Sequence, residues 1–341
     1  MRAMVAERPG GPEVLKLVER PAPEPGPGEV RLRVRAVALN HLDLWLRAGL
    51  RGPQAFPRIL GCEFSGEIDA AGAGVEGFTA GQRVLATPGV SCGHCAACLS
   101  DMDGLCPEYR MLGSQLPGGY AEYAIAPAVS VYPVTDALSL PEWAALPLTF
   151  LTAFHMLVTR ARLRPGESVL VQAAGSGVGT AAIQIARLLG ARVIATAGSE
   201  AKLAHARALG VEAAIDYSGG EFADAVRAAT EGRGADVIVE HIGSSVWKQN
   251  LSCLALGGRL VTCGTTAGHD VQLDLRHVFT KQQSFLGSYM GGRREMGEVM
   301  KLATWGRLKP VIDRVYPLEQ APEAHRRLME RAAFGKVVLQ P

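Results

Sequence analysis

Residues 168–198, SVLVQAAGSGVGTAAIQIARLLGARVIATAG, constrain the fold of this chain more than any other stretch. The apolar run from Val169 to Val171 is short enough for a buried parallel strand. A glycine turn follows at Gly175, Gly177 and Gly179, then an apolar stretch of period 3.6, with Ala181, Ile185 and Leu188 among its members, that stops at Gly190. A second β-branched run, residues 193–196, completes a strand–turn–helix–strand unit of about thirty residues, the length of a βαβ crossover. Glycines let the backbone approach a pyrophosphate, and a helix start offers free N–H groups and the positive end of its dipole. The turn therefore reads as a dinucleotide site built from Gly175, Ser176, Gly177, Val178 and Gly179. Its spacing is Gly-x-Gly-x-Gly, so with Gly179 as the last glycine, Ala174 and Ser176 fill the first two positions. Any strand-to-helix turn can select glycine; the strands on both sides and the units downstream carry the assignment.

Those units repeat the pattern. Strands are predicted at residues 214–217, 236–240, 259–263 and 284–290, with helices at 222–229 and from Trp247 to a stop at Gly257 and Gly258. Such alternation predicts a doubly wound parallel sheet with ligands at the carboxyl ends of its strands. Residues 1–130 differ. Val30, Leu32 and Val34 alternate with Arg31, Arg33 and Arg35, and many short strands punctuated by Gly and Pro suggest a small barrel or sandwich. Residues 143–158 read as one buried helix, too short to span a bilayer. The tail, residues 294–341, is predicted to hold one amphipathic helix and a short strand at 336–339, and to return to the first domain. The expected division is thus 1–130, 131–293 and 294–341.

With 341 residues the chain is long enough for about two domains. A net charge of +2 implies neither nucleic acid nor an anionic membrane as partner, and the N-terminus lacks an apolar signal-peptide core. Cytoplasmic location is the expectation. Four of the seven cysteines, Cys92, Cys95, Cys98 and Cys106, form a C-x2-C-x2-C-x7-C array within residues 88–110. Four thiolates so spaced can surround one tetrahedral Zn²⁺ with no open position, which makes the site structural. Disulfides, an iron–sulfur cluster and unliganded thiols are the alternatives; a reducing compartment favours zinc, one per chain.

A β-rich first domain, this cysteine lobe and the glycine-turn unit, in this order and down to the ending Phe334-Gly335-Lys336-Val337-Val338-Leu339, resemble the medium-chain dehydrogenase/reductase superfamily, home of zinc alcohol dehydrogenases and quinone oxidoreductases. The resemblance implies a GroES-like β-barrel catalytic domain, a Rossmann domain inserted before its C-terminal part, an active cleft between them, a small-molecule substrate, and a homodimer or homotetramer. In the zinc enzymes a Cys, a His and a later Cys hold a catalytic metal. Here those positions carry Asn40, Cys62 (before Glu63), and Leu148 or Thr149, so the usual catalytic zinc is not expected. His41, Asp43, Cys62 and Glu63 offer an unorthodox alternative set.

Asn40 at this position is what the zinc-independent quinone oxidoreductases carry. The resemblance places it and Thr152 by the nicotinamide, with His41 and Lys336 also on the cofactor side. No carboxylate stands about 20 residues past the glycines, where NAD-specific sites place one for the ribose. Gly198, Ser199 and Lys202 offer room, a hydroxyl and a cation for a 2′-phosphate, and Tyr217 matches a tyrosine that closes over it in relatives. NADP(H) is favoured over NAD(H). The leading expectation is a reductase of quinones or enones, with Asn40, Cys62 and Glu63 as candidate catalytic residues. An alcohol dehydrogenase with an altered metal site and a non-enzymatic nucleotide-binding protein are the rivals.

Overall fold

The alternation of Val30, Leu32 and Val34 with arginines becomes the strand Glu29–Ala38, whose apolar side chains are buried while Arg31 and Arg35 pair outside with Asp69 and Glu67. In the computed structural model, which describes residues 1–50 and 55–341, this strand is the axis of one of two units. The first unit is Met1–Leu148 with Gly292–Pro341; the second is Thr149–Gly291.

In the first unit, Glu29–Ala38 pairs antiparallel with Glu63–Ala71, Tyr123–Pro127 and Lys336–Gln340. Arg83–Ala86 and Val131–Pro133 extend the seven-stranded sheet beyond Glu63–Ala71, and Ile312–Pro317 pairs parallel with Lys336–Gln340. Its core mixes early and late residues: Val30, Leu32, Phe64 and Val84 pack with Leu318, Ala324, Leu328 and Leu339. A polar triad crosses the same core. Arg47 Nη1 lies 2.8 Å from His325 Nδ1, and Tyr120 Oη lies 3.1 Å from His325 Nε2. The guanidinium donates, so Nδ1 is the acceptor of a neutral imidazole. Burial, reinforced by the Arg47 charge, pushes the His325 pKa down to about 3.

The second unit is a six-stranded parallel sheet in the order Ala213–Asp216, Arg192–Ala197, Ser168–Val171, Ala235–Glu240, Leu254–Thr262, Ser284–Gly287. The order reverses beside the first strand, which is the topological switch point of a doubly wound fold. Among the described residues no helix is long and apolar enough to cross a membrane.

Three expectations are corrected. The helix predicted to run from Trp247 to the glycines is Ser244–Cys253, and Leu254 opens the next strand, paired with Ala235. Leu254 and Ala255 are buried in either state, so periodicity alone does not place that boundary. The single helix over 143–158 is broken into Leu140–Ala144, Pro147–Phe154 and a π-helical segment His155–Arg160. Pro147 lacks the N–H that would continue the first helix and disfavours helical backbone at the residue before it. The tail holds two helices, Arg293–Thr304 and Ala321–Met329, and two strands, not one of each.

Candidate active site

The cysteines of the first unit converge. Cys98 Sγ lies 3.5 Å from Cys95 Sγ and 3.9 Å from Cys92 Sγ, and all four sulfurs lie within 4.8 Å of one another. A tetrahedron of Zn–S bonds of about 2.3 Å has edges of about 3.8 Å, so the donor set fits one zinc and is too open for disulfides. Backbone N–H groups already point at the sulfurs: Cys95 N donates to Cys92 Sγ and Cys92 N to Cys106 Sγ, each at 3.4 Å. The backbone N–H groups of His94 and Cys95 hold the Cys92 thiol down at about 6. Asp103 anchors the lobe, accepting from Ser91 Oγ at 2.5 Å and from Arg293 Nε at 3.2 Å.

A second polar cluster in the same unit carries its own cation. Lys336 Nζ donates to Leu39 O at 2.7 Å, Asn40 Oδ1 at 2.6 Å and Glu63 Oε1 at 2.7 Å. Asn40 Nδ2 donates to Glu63 Oε1 at 2.9 Å. The other carboxylate oxygen accepts the backbone N–H of Leu148 at 2.5 Å. That amide sits in the first turn of the helix Pro147–Phe154, where N–H groups lack intrahelical partners and the dipole is positive. All three donors of the ammonium are thus satisfied, and the Lys336–Glu63 pair is almost wholly buried.

Asp43 lies beside this network but takes a different solution. It is fully buried, and its oxygens accept from the backbone N–H groups of Asn40 at 2.8 Å and Gly61 at 3.0 Å. Burial wins over those hydrogen bonds and raises its pKa to about 6. Cys62 is also fully buried; burial first, then the charges of Asp43 and Glu63, push its thiol well up, so it stays protonated. His41 opens the helix His41–Arg47 with an exposed side chain, its ring 6.3 Å from that of Trp45.

Among the described residues, the groups of three or more metal-ligating side chains that converge are the four cysteines and the overlapping Cys92, His94 and Glu108. The ligand atoms of His41, Asp43, Cys62 and Glu63 form no such group. At this cluster an ammonium already occupies one oxygen of Glu63, and Asn40 contributes an amide that donates to the same oxygen.

The remaining predicted residues belong to the second unit. Ser176 caps the helix Gly177–Leu188, its Oγ accepting from Gly179 N at 2.8 Å. A Cβ on Gly179 would meet Ala173 O at 2.4 Å, so the close packing of turn on helix requires glycine there. The first-turn amides of Gly177 and Val178 precede the first intrahelical bond and suit an anion. At the next strand end, Gly198 faces the ring of Tyr217, which a Cβ at that glycine would approach to 3.3 Å, and Ser199 Oγ caps Lys202 N at 3.4 Å. Glu200 pairs with Arg207 at 2.5 Å. Thr152 is buried, its Oγ1 4.0 Å from Met290 Sδ.

Sequence reasoning met Leu148 only as the position of a missing metal ligand and not as a backbone donor, and it did not find His241, whose Nε2 lies 3.0 Å from Ser176 Oγ. His241 follows the strand Ala235–Glu240 directly, and the rule that ligands bind at strand carboxyl ends was the available signal.

Known proteins match this arrangement from end to end. Residues 26–136 match the alcohol dehydrogenase GroES-like domain, and residues 177–305 match the zinc-binding dehydrogenase family. An NAD-dependent alcohol dehydrogenase of Sulfolobus acidocaldarius is 33% identical over 351 residues, covering 100% of this chain and 99% of that one. A quinone oxidoreductase of Rattus norvegicus is 32% identical over 349 residues, covering 99% and 97%. A solved structure of an NAD-dependent alcohol dehydrogenase is 49% identical with a TM-score of 0.97, each chain covered to 100%. The seven-stranded sheet thus belongs to a GroES-like domain and the six-stranded one is a Rossmann sheet. With both domains in this order and full-length relatives of both kinds, the chain belongs to the medium-chain dehydrogenase/reductase superfamily of NAD(P)-dependent oxidoreductases.

Proposed function

We propose that this oxidoreductase reduces conjugated carbonyl compounds, quinones or enones, with NADPH and without a catalytic zinc. The observation that carries the reading is Lys336, whose ammonium occupies Glu63 and Asn40 where a metal would have to sit. When bound, the nicotinamide supplies hydride at C4. Asn40 is the donor for the oxygen on which negative charge develops. One of its N–H bonds is engaged by Glu63; the other has only weak acceptors, Ala38 O and the Cys62 sulfur, each at 3.5 Å. Lys336 draws density from the Asn40 carbonyl and makes that second N–H a better donor. Such a donor in a dry site is worth ~3–4 kcal/mol of transition-state stabilisation. Conjugation spreads the developing charge, so this chemistry tolerates a weaker electrophile than zinc, whereas alcohol oxidation needs the hydroxyl deprotonated.

Gly198, Ser199, Lys202 and Tyr217 support NADP(H), since together they present space, a hydroxyl, a cation and an aromatic lid without a ribose carboxylate. The four sulfurs support one structural zinc per chain, and the seven free cysteines suit a reducing cytoplasm. Ser284–Gly287, an edge strand of the parallel sheet, supports a homodimer or homotetramer. A second reading, alcohol dehydrogenase with Cys62 and Glu63 as metal ligands, is favoured by the names of two of the similar proteins, which also favour NAD(H).

The deciding experiment is zinc per chain on metal-replete protein, run beside turnover of quinones, enones, aldehydes and alcohols with each cofactor. One zinc with quinone or enone reduction, and an Asn40→Ala variant slowed about a hundredfold in kcat, is the expected result. Two zincs, with Cys62→Ala losing one of them and the activity, would establish the alcohol dehydrogenase instead.

A further inference from the structure

The turn after the strand Ala235–Glu240 brings a histidine to the phosphate-binding loop. Ser168–Val171 and Ala235–Glu240 are neighbours, Val171 opposite Val239, and flank the switch point of the sheet. His241 leaves the second of them nearly buried, with Nε2 3.0 Å from Ser176 Oγ. That hydroxyl oxygen is the same one that accepts Gly179 N, so imidazole and helix cap share one atom.

The histidine is itself held from several directions. The Glu240 carboxylate accepts Ile242 N and Gly243 N, each at 2.6 Å, and Thr262 Oγ1 at 3.0 Å. His241 O accepts Thr266 N at 3.3 Å and Thr266 Oγ1 at 3.2 Å. Gly243 adopts φ +98°, and a Cβ there would meet Gly268 O at 1.9 Å, so the turn admits no other residue without moving the facing loop. A hydroxyl on a lone helix cap has three rotamers to choose from. A ring carried on a backbone held this way and bonded to Ser176 Oγ selects the one that caps Gly179.

We propose that His241 is a positioning residue for the dinucleotide's pyrophosphate. By holding Ser176, it keeps the cap formed and the Gly177 and Val178 amides aimed at the phosphates. The role rests on dinucleotide binding alone and is independent of the substrate and of the choice between NADP(H) and NAD(H). Both cofactors carry the pyrophosphate, so its signature is a loss shared equally between them.

The test is titration of NADPH and NADH, followed by nicotinamide fluorescence, against wild type, His241→Ala, Ser176→Ala and the double variant. Loss of one hydrogen bond that organises the loop is expected to raise both Kd values about tenfold in His241→Ala, leaving their ratio and the urea midpoint of the cofactor-free protein unchanged. The double variant is expected to lose no more than the worse single one, because the two residues act through one contact. His241→Gln, which restores a polar side chain, is expected to recover most of the affinity. Kd values within about twofold of wild type in His241→Ala, losses that multiply in the double variant, or a changed NADPH-to-NADH ratio would each overturn the proposal. Where His241→Ala lowers the urea midpoint, Ser176→Ala is read alone, and unchanged affinity in that variant overturns it equally.

Discussion

Two clusters in the same unit use cysteine and carboxylate chemistry and end in opposite electrostatic states. At Cys92, Cys95, Cys98 and Cys106, four sulfurs converge with backbone N–H groups aimed at two of them and no cation supplied by the four side chains, a donor set that fits a metal. At Asn40, Glu63 and Lys336, the chain supplies the cation itself, and a metal would have to displace it. The difference teaches that residue types alone do not define a metal site. What counts is whether the fold leaves the charge uncompensated.

The largest effect should come from the cluster that borrows its cation. Cys98→Ser, or exhaustive chelation, should remove zinc and destabilise the first unit by an order of several kcal/mol, read as the urea midpoint beside metal content. Equal stability with the metal gone would erase the contrast.

The next effect tests the cluster that owns its cation. Lys336→Met strands the buried Glu63 and should cost about 3–5 kcal/mol, while adding Glu63→Gln should restore at least half of it. If the double variant is no more stable than the single one, Lys336 matters for packing and not for charge.

Asp43, near Lys336 but held by backbone N–H groups and not by an ion pair, sharpens the comparison through pH. Its folded pKa of about 6 exceeds the usual 3.8, so the native state binds the extra proton, and stability falls as pH rises from about 4 to about 6. His325 has the reverse sign: its folded value of about 3 lies below 6.5, so stability is lost as pH falls through that window. The two oppose each other between about pH 4 and 6. His325→Gln should expose the Asp43 slope, up to ~1.4 kcal/mol per pH unit, in urea titrations at pH 4, 5 and 6. An unaltered pH profile in that variant would remove His325 from the balance.

The smallest effect concerns the cofactor. Lys202→Ala should weaken NADPH about fivefold, roughly 1 kcal/mol, and leave NADH unchanged in the same fluorescence titration. Equal loss for both would assign Lys202 to a feature the two cofactors share.

What the sequence made legible follows from contact distance along the chain. The cysteine lobe is visible because its ligands stand three, three and eight residues apart, and the phosphate turn because strand, glycines and helix are contiguous. That the strands of the second sheet run parallel follows from their alternation with helices. The network at Glu63 was not legible in its bonding. Lys336 lies 273 residues from Glu63 and Leu148 lies 85 from it, and the latter contributes a backbone amide that no residue type announces. The Arg47–His325–Tyr120 triad is hidden for the same reason, with 278 residues between the first two. The helix end at Cys253 escaped because the buried apolar Leu254 and Ala255 follow it directly, and the one at Phe154 because the chain continues there in a π-helical segment.

The strand Lys336–Gln340 inserts between Glu29–Ala38 and Ile312–Pro317, which gives the unit an order of assembly during synthesis. A ribosome makes Glu63 long before Lys336, and the whole span Thr149–Gly291 is translated in between. The parallel-sheet unit can therefore fold while its neighbour still waits for a strand and for the counter-charge of a buried carboxylate. A nascent chain arrested before residue 336 would leave Val37 and Ala38, the carboxyl end of Glu29–Ala38, without their partner, a short exposed edge open to foreign strands, while residues 29–33 keep Tyr123–Pro127.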